Sequence, residues 1–311
     1  MRAFKKFLKQ YFIRLNTGMR PPAAPAGATD AVPDVAQKKE NPAINVVLFI
    51  ATFASTTIVG GTAVDSIIDF FISGLPYSIT LMMILLTHEF GHFFAARRFG
   101  VKSTLPYFIP FPSLIGTMGA IIKTKSPIPH RRALFYIGVM GPLPGFIVSL
   151  IAFVIGVMLS EIKPIPIGVE GSGYILGDSL LVSLVIKLIH GAIPPGKDVF
   201  FSQYALAGWF GFLITNLNLM PIGQLDGSHV VYSLVGKKQL FFGWGALAGL
   251  VILSFMWPGW TVWIVMTLLI LMVAHPEVQE GVELTVPEKI VGWLCLAIFI
   301  LTFVPVPIDF I

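Results

Sequence analysis

Three ionisable residues stand close together inside an apolar block of the sequence: His88, Glu89 and His92. In a helix, His88 and His92 lie on one face because they are four positions apart, and Glu89 projects about 100° around the axis. This is the HExxH pattern, in which two imidazoles bind zinc and the glutamate serves as a general base. An ionised side chain in hydrocarbon costs about 2.5 to 3.5 kcal/mol. The pattern therefore favours a metal site over a polar cluster that only hydrogen-bonds between helices.

A catalytic zinc site uses three protein ligands, so another carboxylate or imidazole must come from elsewhere in the chain. The best candidate is Asp226 at the end of a later apolar block. There Pro221, Gly223 and Gly227 are expected to break the helix and let a carboxylate turn inward. His229 is the competing ligand, and in a third interpretation Asp226 only forms a salt bridge with a nearby lysine. Imidazole and carboxylate ligands with an open position suit zinc, so we expect one Zn²⁺ per chain.

The composition indicates that these residues lie in a membrane. Of 311 residues, 55% are hydrophobic and 12% are charged, and the mean hydropathy is +0.83. A soluble domain carries roughly twice that charged share. The apolar residues come in long blocks, which indicates a polytopic membrane protein and excludes disordered, collagen-like and disulfide-stapled chains. Cys295 is the only cysteine, which excludes four-cysteine zinc sites and CxxC redox centres.

Seven apolar blocks are candidates for membrane crossing, because a spanning helix needs roughly 20 residues. They cover residues 44–62, 78–98, 133–159, 199–219, 240–257, 259–274 and 289–307. The sixth block is short, and the stretch 179–190 is shorter still and contains Lys187, so we expect that stretch to lie at the membrane interface. The predicted fold class is an all-α polytopic membrane protein with six to seven transmembrane helices and a small membrane-dipping β-hairpin or re-entrant loop.

The basic residues indicate the orientation. Eight of the 21 Lys and Arg residues precede the first block, and many others lie between the second and third blocks. Both regions should therefore be cytoplasmic. Residues 1–43 are predicted to be a cytoplasmic arm, either a basic amphipathic helix or a disordered tail, with a proline-rich linker. Residues 44–311 form the predicted membrane domain, with a catalytic core at about 76–235 and further helices at 240–311. Basic residues on a short arm do not indicate nucleic-acid binding.

The two polar motifs resemble those of a known family, the site-2 protease type of intramembrane zinc metalloproteases. The resemblance rests on THEFGH at 87–92 and on NLMPIGQLDG at 218–227. It implies hydrolysis of a peptide bond within or near a transmembrane segment of a membrane-protein substrate. Such cleavage would serve either regulated intramembrane proteolysis or the clearance of signal-peptide remnants.

The resemblance also implies roles for single residues. His88 and His92 match the helical zinc ligands of the family, and Asp226 matches the third ligand. Glu89 matches the catalytic glutamate. Asn218 matches an asparagine that contacts the substrate or the reacting carbonyl.

Residues 105–127 resemble the membrane-dipping loop and hairpin of the family. Zinc proteases need an extended substrate, so a strand edge near the zinc would pair with an unwound substrate segment. Gly116 and Gly119 would let the two backbones approach closely. The alternative is a re-entrant plug that only shields the site. The chain departs from the family at Gly145, where many members have asparagine; Gly141 and Gly145 then indicate close helix packing.

Other functions are compatible with the same residues. The main rival is a membrane metal transporter or metal-binding protein that uses the same ligands, which predicts metal flux and tolerance of Glu89→Gln. A catalytically dead relative and a CAAX-type membrane protease, which usually has a glutamate where Asp226 stands, are two more. The sequence has no room for the PDZ domain of many bacterial relatives. No transit peptide is visible, so we expect a prokaryotic plasma membrane with a cytoplasmic N terminus.

Overall fold

The computed structural model describes residues 41–62, 66–165, 174–271, 278 and 282–310. Most of the predicted N-terminal arm lies outside the described residues. The helices are α1 (Pro42–Gly60), α2 (Ile67–Arg98), α3 (Arg131–Met140), α4 (Pro142–Met158), α5 (Leu180–His190), α6 (Gln203–Leu219), α7 (Asp226–Val235), α8 (Gln239–Ser254), α9 (Trp260–Leu271) and α10 (Val286–Thr302). A short 3₁₀ turn, Gly236–Lys238, joins α7 to α8.

Short strands form three antiparallel pairs among the described residues. They are β1 (Tyr107–Pro110) with β2 (Thr117–Ile121), β3 (Glu161–Pro164) with β5 (Lys197–Phe200), and β4 (Tyr174–Leu176) with β6 (Ile308–Phe310). The first pair is the predicted hairpin. The other two were not predicted, because strands of three or four residues are too short to leave an apolar pattern in the sequence.

Within the part of the chain that the structure describes, three helical segments are long and apolar enough to cross a membrane: Pro42–Gly60, Ile67–Arg98 and Arg131–Met158. The protein is thus mostly helical and membrane-embedded. The helices at the other four predicted blocks have 17, 16, 12 and 17 residues, fewer than the roughly 20 that a crossing needs, so the count of six to seven stays a prediction. The stretch 179–190 forms a helix of 11 residues, which is too short to span, as expected.

The second apolar block forms a longer helix than predicted. α2 begins at Ile67 rather than at residue 78, and it has 32 residues with Pro76 inside. The Ser66 side chain accepts a hydrogen bond from the Ile68 N–H, and Asp69 lies in the first turn. Both residues stabilise a helix N-terminus. The helix therefore begins before the predicted start of the block.

The centre of the fold is α2, which packs against α1, α3, α4 and α6. Aromatic side chains from α2, α4 and α6 fill the space between these three helices. The largest of them, all at most 2% exposed, are Tyr77, Phe153, Trp209, Phe210 and Phe212. Burial of this size fixes how α2 and α6 lie relative to each other. These two helices carry the HExxH residues and the start of the downstream motif.

The last described helix, α10, is tied to the same core by polar contacts. The Asn216 side-chain amide on α6 donates to the Phe299 carbonyl oxygen and to Thr302 Oγ1. At the other end, Arg132 on α3 pairs with Glu288 on α10. These contacts hold α10 against α3 and α6.

Candidate metal centre

Three side-chain atoms converge at the middle of the fold. His88 and His92 lie one turn apart on α2, and their Nε2 atoms are 3.0 Å apart. Asp226 Oδ2 lies 3.3 Å from His88 Nε2 and 3.2 Å from His92 Nε2. Among the described residues, these three form the one group of His, Cys, Asp or Glu whose ligand atoms all lie within 4.8 Å of one another.

The spacing of these atoms fits a zinc ion. Zinc bonds to imidazole nitrogen and carboxylate oxygen are about 2.0 to 2.2 Å long, and tetrahedral angles then separate the ligand atoms by roughly 3.3 Å. The three observed separations of 3.0, 3.2 and 3.3 Å are close to that value. The donor set of two imidazoles and one carboxylate is one that catalytic zinc sites use.

The loop between α6 and α7 brings Asp226 to the imidazoles. α6 ends at Leu219, two residues before Pro221, which cannot donate a backbone hydrogen bond. Gly223 has a φ of +55°, a left-handed conformation that favours glycine. Asp226 is then the first residue of α7, so the irregular backbone precedes the carboxylate. Gly227 lies inside α7, where a Cβ atom would overlap the Leu219 carbonyl oxygen, and so it allows close packing and does not break the helix.

A backbone carbonyl orients the His92 ring. His92 Nδ1 lies 2.7 Å from the Ile137 carbonyl oxygen on α3. A carbonyl oxygen can only accept a hydrogen bond, so Nδ1 carries a proton and is the donor. The lone pair of Nε2 then faces His88 and Asp226. Carbonyl partners of this kind commonly fix the orientation of metal-binding imidazoles.

Glu89 lines the same cavity as the three converging residues. The cavity has a volume of about 280 Å³, and Asn218 also lines it. Glu89 is 6% exposed and lies next to the group of three converging residues, but it is not a member of that group. Asn218 Nδ2 lies 3.4 Å from His88 Nε2. A carboxylate and an amide thus border the space next to the predicted zinc position.

The two predicted substrate-binding glycines lie in the hairpin at different distances from this cavity. Gly119 lies in β2, and the next residues, Ala120 and Ile121, line the cavity. Gly119 has a φ of +90°, and a Cβ there would meet no atom within 4 Å. Gly116 lies in the turn of the hairpin, where a Cβ would come within 2.8 Å of the Thr56 Cα on α1. Gly116 therefore serves the packing of the hairpin on α1.

Several cavity residues were missing from the sequence-based prediction. Ser103, Ile122, Thr124 and Gln224 also line the cavity, and so does His229, the competing ligand. Gln224 lies within NLMPIGQLDG, and Ile122 and Thr124 lie within residues 105–127, but the sequence did not mark them as cavity residues. Their position depends on how the hairpin and the loop fold over α2. His229 is outside the convergent group, although it follows Asp226 on α7.

The sequence of the chain is similar to those of known proteins. The family described as Peptidase family M50 matches residues 76–243. The probable zinc metalloprotease EGY2, chloroplastic, of Arabidopsis thaliana is 31% identical over 242 residues, which cover 76% of this chain and 43% of the relative. The probable zinc metalloprotease EGY1, chloroplastic, of Oryza sativa subsp. japonica is 36% identical over 180 residues, which cover 56% of this chain and 30% of the relative.

The chain thus spans less than half the length of these two curated relatives. The family match covers more than half of the chain and contains both polar motifs. The resemblance seen in THEFGH and NLMPIGQLDG is confirmed at the level of the family. The chain belongs to peptidase family M50, the site-2 protease family.

Proposed function

We propose that this protein is a zinc metalloprotease that hydrolyses peptide bonds within or near transmembrane segments of membrane-protein substrates. The observation that carries the proposal is the convergence of His88, His92 and Asp226 beside Glu89 in one cavity. Both imidazoles lie on a helix long and apolar enough to cross a membrane. Membership of peptidase family M50 and the printed names of the relatives, zinc metalloproteases, support it.

The cavity residues divide the chemistry between them. His88, His92 and Asp226 would hold zinc, which when bound supplies a Lewis acid that polarises the substrate carbonyl. Glu89 accepts a proton from the attacking water and delivers it to the leaving amine, because its carboxylate borders the zinc position without being a ligand. Asn218 offers an amide donor to the carbonyl oxygen as negative charge develops there.

The hairpin gives the substrate a place to extend. A peptide bond inside a helix is shielded, so the substrate must unwind before it is cut. β2 ends at Ile121 and lines the cavity, and a free strand edge can add an extended segment by backbone hydrogen bonds. We propose that the substrate pairs here, near Gly119. In the alternative, the hairpin only shields the site from lipid.

The submerged position of the site means that water must reach it from one end of α2. Arg98, at the C-terminal end of the helix, follows His88 by ten residues, about 15 Å along a helix. The basic residues at that end suggest the cytoplasmic side. The membrane concerned stays a prediction: the relatives are named as chloroplastic, which does not support the expected prokaryotic plasma membrane.

A metal transporter would use the same three ligands for transit and would not need a general base. The presence of Glu89 in the cavity and the names of the relatives favour the protease. The two functions differ in their response to Glu89→Gln, since glutamine does not accept the proton but leaves the ligands in place.

The test uses purified protein in proteoliposomes with a panel of single-span membrane proteins. We expect Glu89→Gln to lower the cleavage rate roughly one hundred to ten thousand times while zinc stays bound. Glu161→Gln is the matched control, because Glu161 is an exposed acid on β3 and should not affect cleavage. Fragments are identified by mass spectrometry and zinc by elemental analysis. Full turnover by Glu89→Gln, or zinc flux without cleavage, would refute the proposal.

A further inference from the structure

The junction between α3 and α4 faces the imidazoles of α2 with glycines. A Cβ atom on Gly141 would lie closer than 3.0 Å to three atoms of the His92 ring: Nε2, Cε1 and Cδ2. Real Cβ atoms avoid such distances, so either the ring or the helix would have to move. Gly141 thus provides the space that the His92 ring occupies.

The His92 ring has little freedom to move out of the way. Its Nδ1 is held by the Ile137 carbonyl oxygen at 2.7 Å, and its Nε2 faces Asp226 Oδ2 at 3.2 Å. Rotation that relieved a clash with residue 141 would break one of these two contacts. The direction of the His92 Nε2 lone pair therefore depends on residue 141 having no side chain.

A second glycine, one turn further along, stands against the other imidazole. A Cβ on Gly145 would lie 3.2 Å from both Cβ and Nδ1 of His88. This distance is tight but short of a clash, so a small shift of the ring would relieve it. Gly145 should therefore affect the site in the same way as Gly141, but less strongly.

The backbones of α2 and α3 also come into close contact next to His92. A Cβ on Gly91, next to His92, would overlap the carbonyl oxygen of Met140. Pro144 has no N–H group and therefore cannot bond that carbonyl as residue i+4 of a helix normally does. Because α2 and α3 are in backbone contact here, they cannot move apart to make room for a side chain at residue 141 without losing that contact.

We propose that Gly141 and Gly145 are positioning residues of the metal centre, which direct the His92 and His88 rings toward Asp226 by leaving them space. The inference rests on the proposed zinc-binding function. Gly141 and Gly145 form a G-x-x-x-G pattern, which usually lets two helix backbones approach closely. Here the two glycines also face the rings that would bind the metal. If the two glycines served packing alone, their substitution would lower the stability of the fold without changing how the folded protein binds metal.

A matched glycine elsewhere separates positioning from packing. A Cβ on Gly208, on α6, would lie 2.7 Å from the Phe153 backbone nitrogen and 2.8 Å from its Cα. The approach is tight and involves none of the three proposed ligands. Gly249 is a neutral control, because a Cβ there would meet no atom within 4 Å.

The first experiment measures metal binding by the full chain in detergent. Zinc affinity is obtained by chelator competition, and the geometry of the site by the absorption spectrum of the Co²⁺ form. We expect Gly141→Ala to weaken metal binding roughly tenfold to a hundredfold and to change the Co²⁺ spectrum. Gly145→Ala should have a smaller effect of the same kind. Gly208→Ala should lower the unfolding temperature but keep the affinity and the spectrum, and Gly249→Ala should change neither.

The second experiment needs no metal. In a His92→Ala background the ring is gone, so Gly141→Ala should no longer lower the unfolding temperature, whereas it lowers it when His92 is present. Additive effects would overturn the proposal, and so would a Gly141→Ala variant with the affinity and spectrum of the wild type. Failure of the wild type to bind zinc or Co²⁺ would refute the proposed function instead, which keeps the two failures distinct.

Discussion

The two sides of α2 are both packed through small residues, but different groups occupy the space that these residues leave. On the α1 side, a Cβ on Gly74 would overlap the Thr57 carbonyl oxygen, and Thr56 Oγ1 lies 2.7 Å from Ser78 Oγ. On the α3 and α4 side, glycines leave space for His92 and His88. Small residues thus let the backbones of α1 and α2 come into contact on one side of α2. On the other side they leave space for two imidazole rings.

The α1 side also supports the hairpin that reaches the cavity. Ser55 Oγ donates to the Gly116 carbonyl oxygen, and Tyr77 Oη donates to the Ile115 carbonyl oxygen. Near the start of α1, the Asn45 amide donates to the carbonyl oxygens of Leu105 and Pro106. Damage to this side should therefore affect stability and substrate binding but spare the metal.

The largest stability effect is expected where α1 and α2 are in backbone contact. Gly74→Ala should destabilise the protein by about 1 to 3 kcal/mol, because the new methyl group has no space. Zinc content should not change, since the ligands lie on the other side. Thermal unfolding and elemental analysis of the same sample check both statements. Loss of zinc from a folded Gly74→Ala protein would show that the two sides of α2 are not independent.

A smaller effect is expected at the strand beside the cavity. Gly119 has a positive φ, so valine there would strain β2 and fill the open space next to it. Gly119→Val should lower the rate of substrate cleavage about tenfold, equal to about 1.4 kcal/mol in the barrier, with zinc retained. The measurement pairs a cleavage assay with zinc analysis. Equal loss of cleavage and zinc would favour the shielding role of the hairpin.

The smallest effect is expected from the buried hydroxyl pair on the α1 side. Ser78→Ala removes the partner of Thr56 and the hydrogen bond that Ser78 donates to the Phe53 carbonyl oxygen. Side-chain hydrogen bonds between membrane helices contribute about 0.6 kcal/mol on average, so unfolding should shift only slightly. Denaturation in mixed micelles measures this shift, and a loss above about 2 kcal/mol would mean that the pair organises α1 as a whole.

The sequence predicted the parts of the site that lie on a single helix or loop, but not the contacts between helices. His88 and His92 could be assigned to one face because their spacing is a property of a single helix. Asp226 could be named because a carboxylate after Pro221 in an apolar block needs a partner. The Ile137 carbonyl and the position of Gly141 could not be predicted, because both depend on how α3 crosses α2.

The same distinction applies to the fold. The apolar blocks predicted helices, and the hairpin at 107–121 was expected. The predicted block started at residue 78, whereas α2 starts at Ile67, because the Ser66 cap and Asp69 in the first turn extend the helix beyond the most apolar stretch. The pairing of β3 with β5 was missed because it joins short segments that are distant in sequence.

We propose that His88, His92 and Asp226 together hold zinc, and zinc analysis of purified protein tests this ligand set most directly. Four forms are compared: wild type, His88→Ala, Asp226→Ala and His229→Ala, the last removing the imidazole that lines the same cavity. We expect about one zinc ion per chain in the wild type, lost in His88→Ala and Asp226→Ala and kept in His229→Ala. No zinc in the wild type, or loss only with His229→Ala, would contradict it.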